Sequence, residues 1–93
     1  MQIYTEQALI ETLRSLPDWQ LKDGAIEKTF HFADFAQALA FIVQIGILAE
    51  KADHHPEIFN VYNKVVIRLN THSEQAVTSK DTDLAKAIQM LID

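Results

Sequence analysis

Two adjacent histidines, His54 and His55, lie where an apolar helical run gives way to a strand pattern. Histidine is the side chain whose unperturbed pKa lies closest to neutral pH, so a pair of them is typical of general acid–base chemistry. A structural interpretation is also open, because a histidine at a helix C-terminus interacts favourably with the exposed carbonyl groups. The pair therefore predicts a helix cap, a proton-transfer site, or both.

His72 is a third candidate. It ends a predicted strand, on the same side as Arg68 and Asn70. It is either an ordinary exposed residue or the third wall of a cleft formed with His54 and His55. If the histidines act in chemistry more than in stability, replacing His54 or His72 by alanine should change stability little.

Three more residues have both a structural and a functional interpretation. Asp81 closes a capping-box pattern that begins at Thr78, so it could bond backbone N–H groups, belong to the site, or do both. Glu50 lies one helical turn before His54, where it could orient that ring or form an exposed pair of no consequence. Trp19, the only tryptophan, is either partly buried core or an aromatic surface for a flat ligand ring.

The segment from Glu50 to Lys64, with its His-His-Pro-Glu and Asn-Val-Tyr-Asn-Lys motifs, closely resembles the signature of the pterin-4a-carbinolamine dehydratases. The resemblance extends from Trp19 to the C-terminal helix. It implies that the catalytic residues are His54, His55 and His72. It further implies that the residues binding the substrate or supporting the site are Asp81, Glu50 and Trp19.

The resemblance implies dehydration of a 4a-hydroxytetrahydropterin to the quinonoid dihydropterin plus water, which recycles tetrahydrobiopterin-type cofactors. Imidazoles suit this reaction, because the departing hydroxide must be protonated and the ring N5 must lose its proton. No metal or other cofactor is expected. The sequence has no cysteine and no H-E-x-x-H motif, and adjacent histidines on an extended segment tend to point apart. The alternative is a non-catalytic dimerisation or transcriptional coactivator module of the same fold.

Composition limits the other possibilities. Ninety-three residues are expected to form one domain, residues 1–93. The net charge of −5 argues against nucleic-acid binding and against binding to anionic membranes. The N-terminus does not read as a signal peptide, and the longest apolar run, residues 38–49, is short for a membrane span. We therefore expect a cytoplasmic protein. Its small-molecule partner, a pterin, is what the resemblance implies.

The periodicity predicts an α+β fold of order α-ββ-α-ββ-α, a four-stranded antiparallel sheet with helices on one face. Asp-Gly at 23–24 favours the first hairpin. The second is predicted over residues 57–62 and 65–72. Between them, Asp34 can cap a helix from Phe35 to Ala52. This helix carries two apolar stripes, more than packing on one sheet requires. The excess predicts a homo-oligomer with Ile45 and Leu48 in the subunit contact, and the family resemblance implies that it is a homodimer or homotetramer.

Overall fold

Two β-hairpins form one antiparallel sheet, and three helices cover one of its faces. In the computed structural model, which describes residues 1–93, the helices are α1 (Glu6–Leu13), α2 (Phe35–Ala52) and α3 (Ser79–Met90). The strands are β1 (Gln20–Lys22), β2 (Ala25–His31), β3 (Glu57–Val61) and β4 (Lys64–Leu69), in the spatial order β1-β2-β4-β3. The predicted α+β fold and its element order are confirmed.

The core lies between the helices and a single face of the sheet. Buried positions alternate with more exposed ones along β4, as the two-residue period of a strand requires. Val65, Ile67 and Leu69 are fully buried, and they share their face with Ile26 and Phe30 of β2. The strand residues of the hydrophobic core cluster are all on this face, so the helices pack on it. The opposite face is more exposed apart from Ala25, which is buried at the start of β2.

The second hairpin is shorter than the pattern predicts. Its turn occupies residues 62–63, β4 ends at Leu69, and His72 begins a 3₁₀ turn that ends at Glu74. The strand prediction was wrong at this end because Thr71 forms an isolated bridge with Ala76 instead of continuing the pairing with β2. Thr71 keeps the buried side of the strand pattern, while His72 is carried by a separate turn.

Aspartates define both ends of α2. The Asp34 carboxylate accepts a hydrogen bond from the backbone N–H of Gln37 at 2.8 Å, which satisfies one of the free donors of the first turn. At the other end Asp53 adopts a left-handed conformation with φ of 50°. Aspartate tolerates that conformation better than most residues. The chain therefore leaves the helix at Asp53, and the two histidines follow on an irregular segment.

One side of α2 is buried and another is open to solvent. Ala38, Phe41, Ile45 and Ala49 pack into the core, and Ile45 has no exposed surface. The prediction that Ile45 contributes to a subunit contact was therefore wrong for this residue. The large apolar residues left exposed along α2 are Phe35, Leu39, Val43 and Ile47.

By length and composition α2 also qualifies as a candidate membrane span, a criterion that core helices of soluble proteins meet as well. Only 22% of its 18 residues are buried. The helix thus presents more apolar surface than its own sheet covers.

Candidate active site

The left-handed residue at the end of α2 sends the two histidines in different directions. The backbone N–H of His54 still bonds the Ala49 carbonyl at 3.1 Å, and its side chain turns inward with only 10% of its surface exposed. The His55 side chain points outward and is 59% exposed. The pair therefore has one sheltered and one solvent-facing imidazole.

His54 is held by a buried carboxylate. Its Nε2 lies 2.5 Å from Oδ1 of Asp81, whose side chain has no exposed surface. The other oxygen of Asp81, Oδ2, accepts the Thr71 hydroxyl at 2.8 Å and the Thr78 backbone N–H at 2.9 Å. Asp81 thus completes the capping box of α3 and holds His54 at the same time. Buried carboxylates need several donors, and this one has three.

This contact occupies one nitrogen of the His54 ring and leaves the other, Nδ1, to a ligand. Because Oδ2 of Asp81 is already accepting two hydrogen bonds, an ionised carboxylate accepts a third from Nε2–H of His54. The neutral ring then carries its hydrogen on Nε2 and presents Nδ1 as an acceptor, and the protonated ring presents Nδ1–H as a donor. Either way, Nδ1 is the atom left to exchange a proton with a ligand.

Glu50 pairs with His55 instead of His54. Its Oε1 lies 2.5 Å from Nε2 of His55, and both side chains are largely exposed. The prediction that Glu50 could orient His54 was wrong, because the left-handed turn at Asp53 removes His54 from the helical spacing that the prediction assumed. Glu50 is instead placed to orient His55, at the solvent-facing side of the site.

One cleft collects the three candidate histidines. It has a volume of about 400 Å³ and no hydrophobic residue in its lining. Its walls come from the end of α2, the end of β4, the 3₁₀ turn and the start of α3. The lining residues are Asp53, His54, His55, Asn70, Thr71, His72, Ser73 and Lys80. His72 is exposed and comes to the cleft from the turn that follows β4.

Sequence reasoning missed five of these lining residues as site components: Asp53, Asn70, Thr71, Ser73 and Lys80. Each lies within two positions of a candidate histidine or of Asp81. Proximity in sequence was a signal for all five, and the strand pattern that places Asn70 on the side of His72 was a further one. Asn70 also binds the first hairpin, since its Nδ2 donates to the Gly24 carbonyl. A neighbouring groove of about 480 Å³ shares Asn70 and His72 with the cleft.

The sequence matches the family model described as pterin 4 alpha carbinolamine dehydratase over residues 2–91. The chain belongs to this family. It is 48% identical over 82 residues to a protein of Novosphingobium aromaticivorans that is provisionally named a pterin-4-alpha-carbinolamine dehydratase. That match covers 86% of this chain and 85% of the relative. A Brucella ovis protein with the same provisional name is 46% identical, with 94% and 92% covered.

Two solved structures have the same fold. A transcriptional coactivator/pterin dehydratase from Brucella melitensis superposes with a TM-score of 0.93 at 43% identity, covering 98% of this chain and 99% of that one. A pterin dehydratase-like protein identified as a RuBisCO assembly factor in the alpha-carboxysome gives a TM-score of 0.66 at 26% identity. The latter match covers 80% of this chain and 88% of the other. The family fold thus occurs in proteins described by different roles.

Trp19 is the candidate that this dehydratase-family chain places away from the cleft, whereas Asp81 and Glu50, which do not line the cleft, contact His54 and His55. Its side chain is 3% exposed, its ring packs edge-on against Phe30 at 6.0 Å, and its Nε1–H donates to Gln89 Oε1. The same oxygen accepts a 2.7 Å hydrogen bond from the buried Lys28 ammonium. Trp19 is therefore part of a packed polar and aromatic cluster in the core, and its ring face is not available to a ligand in the cleft.

Replacing Trp19 by phenylalanine tests this placement. We expect the variant to melt at a lower temperature than the wild type, because it loses a buried hydrogen bond and ring volume, each of which contributes on the order of 1 kcal/mol. Pterin affinity, measured by calorimetric titration of the folded protein, should stay within about twofold of wild type, because the Trp19 ring lies outside the cleft. A factor of two in affinity corresponds to under about half a kcal/mol. A tenfold loss of pterin affinity with an unchanged melting curve would contradict this placement and show that Trp19 belongs to the binding site.

Proposed function

We propose that this chain dehydrates a 4a-hydroxytetrahydropterin to the quinonoid dihydropterin. The observation that carries the proposal is the convergence of His54, His55 and His72 on one polar cleft. A scaffold has no physical need for three imidazoles around one cavity, whereas proton transfer near neutral pH does. Membership of the dehydratase family names the substrate class. The cleft volume of about 400 Å³ is within the range of small-molecule sites.

The reaction needs two proton transfers and no change of oxidation state. The bond between C4a and its hydroxyl breaks, and that hydroxyl leaves as water after receiving a proton. N5 loses its proton, and its electron pair forms the new double bond to C4a. One imidazole acting as an acid and another acting as a base satisfy the balance, and each regains its starting protonation state by exchange with solvent.

His54 and His72 are our candidates for the two proton transfers. His54 has its orientation fixed by Asp81 and offers Nδ1 to the substrate, so its proton can be delivered at a defined position. His72 lies on the 3₁₀ turn with its side chain exposed to solvent, so it can exchange protons quickly with water. His55, with Glu50 beside it, stands at the rim of the cleft as a further acid or as a contact to the pterin.

A partner-binding role is the second candidate, because α2 leaves an apolar surface open. We call this surface the α2 patch: Phe35, Leu39, Val43 and Ile47. A second copy of this chain would bury it, which supports the predicted homodimer or homotetramer. The coactivator and assembly-factor descriptions of the solved relatives are consistent with a binding role for the fold.

A cytoplasmic location remains part of the proposal.

An assay of dehydration decides between catalysis and binding alone. Chelator-treated protein should accelerate the decay of a freshly generated 4a-hydroxytetrahydropterin in proportion to its concentration, without added metal or nucleotide. Buffer and heat-denatured protein serve as controls. If the substrate decays no faster with the native protein than in buffer, while a family relative is active under the same assay conditions, the proposal fails. The binding role is then the better description.

A further inference from the structure

Thr71 bonds to both sides of the histidine cleft: to the turn that begins at His72 and to Asp81, which holds His54. It is the residue before His72 and is only 3% exposed. Its backbone N–H donates to the Ala76 carbonyl at 2.9 Å, and its own carbonyl accepts from Glu74 N–H at 3.0 Å. These bonds hold the 3₁₀ turn that begins at His72. The backbone of Thr71 therefore fixes where that histidine enters the cleft.

The side chain of Thr71 connects to the His54 side of the cleft. Its hydroxyl donates to Oδ2 of Asp81 at 2.8 Å, and Asp81 Oδ1 holds His54. A hydroxyl has a single hydrogen, so in the 2.7 Å contact between Thr71 Oγ1 and Thr78 Oγ1 the donor is Thr78. The hydrogen bonds thus run in one direction, from Thr78 to Thr71 to Asp81.

On the basis of the proposed dehydratase function, we infer that Thr71 is a positioning residue that sets His54 relative to His72. Thr78 and Asp81 have no exposed surface, so the chain of hydrogen bonds is shielded from competing water. The Thr71 hydroxyl fixes the plane of the Asp81 carboxylate, and that plane directs Oδ1 at Nε2 of His54. Thr71 does not need to touch the substrate to control both histidines.

Two substitutions at Thr71 separate the hydroxyl from the volume of the side chain. Thr71→Val keeps the β-branched shape and removes the donor, whereas Thr71→Ser keeps the donor. In Thr71→Val we expect kcat to fall about 10- to 100-fold with KM nearly unchanged, as small misplacements of reacting groups do. The ¹⁵N NMR signals of the His54 ring should change from a single Nε2–H form to a mixture of tautomers. Thr71→Ser should restore both properties to near wild type.

Thr82→Val is the matched control. Thr82 is also fully buried, and its hydroxyl contacts the Tyr4 hydroxyl at 3.0 Å and the Ser79 carbonyl, with no hydrogen bond to the Asp81 carboxylate. Its loss removes a comparable buried hydroxyl from the same region of the fold. We expect the melting temperature of this variant to fall, with kcat and the His54 ring signals unchanged.

The NMR comparison does not depend on turnover, so it tests Thr71 even if the wild type proves inactive and the proposed function fails. Unchanged His54 signals in Thr71→Val would overturn the inference. A Thr71→Ser variant as impaired as Thr71→Val would overturn it too, as would equal effects in Thr82→Val. If Thr71→Val does not fold, the wild type supplies the test. Its Thr71 hydroxyl proton should exchange slowly with water, and rapid exchange would refute the bond to Asp81.

Discussion

Replacing His72 by alanine is expected to lower the rate of pterin dehydration by roughly 100-fold or more while leaving the melting temperature almost unchanged. His72 is exposed on its turn, and surface substitutions of this kind shift stability by about 0.5 kcal/mol or less. Replacing His54 should cost a similar factor in rate and also destabilise the fold by about 1–3 kcal/mol, because Oδ1 of Asp81 is left buried without its partner.

The two variants therefore differ in stability and agree in kinetics. The measurements are kcat for the dehydration and urea unfolding of each variant. His31→Ala is the matched control, since His31 is exposed on β2 outside the cleft lining and should change neither quantity. Full activity in both the His54 and His72 variants would place the histidines in a structural role. An unchanged unfolding curve for His54→Ala would contradict the importance of its contact with Asp81.

Replacing Ile47 by glutamate is expected to convert an oligomer into a folded monomer. Ile47 is 64% exposed in the single chain, so a charge there leaves the monomer intact but would be buried without a partner in a contact through the α2 patch. Val43→Glu should act in the same way. Sedimentation velocity at micromolar concentration measures the result, with circular dichroism to verify folding.

Two glutamate substitutions complete this experiment. Ile45→Glu should unfold the chain, because Ile45 is fully buried in the core. Ile10→Glu places the same charge at an exposed isoleucine of α1 and should leave the assembly unchanged. A wild-type protein that sediments as a monomer would refute the oligomer. An oligomer that tolerates both Ile47→Glu and Val43→Glu would have its contact on another surface.

The features that the sequence predicted correctly are those set by near neighbours along the chain. Asp34 caps α2 through a bond to Gln37, three residues away, and Thr78 and Asp81 form the predicted capping box at the same spacing. The alternation through Val65 and Ile67 reports the two-residue period of a strand, which holds in any context that buries one face. Local backbone geometry, here the left-handed Asp53, also directs the side chains of His54 and His55 to different sides.

Contacts between distant segments could not be read in this way. His54 and Asp81 are 27 residues apart, and they meet only because packing brings the end of α2 to the start of α3. Helical spacing paired Glu50 with the wrong histidine, since one left-handed residue at position 53 changed the geometry. Period alone likewise could not tell Ile45 from Ile47, because a helix with two apolar stripes does not specify which one meets the sheet.

The sequence alone therefore determined the fold class, the helix caps and the candidate residues of the site. Tertiary packing decided what each candidate contacts. It buried Trp19 beside Gln89 and Lys28, and it made His54 a partner of a buried carboxylate rather than a freely replaceable surface residue. The reason is physical: periodicity and capping depend on bonds within a few residues, whereas burial and pairing depend on how whole elements fit together.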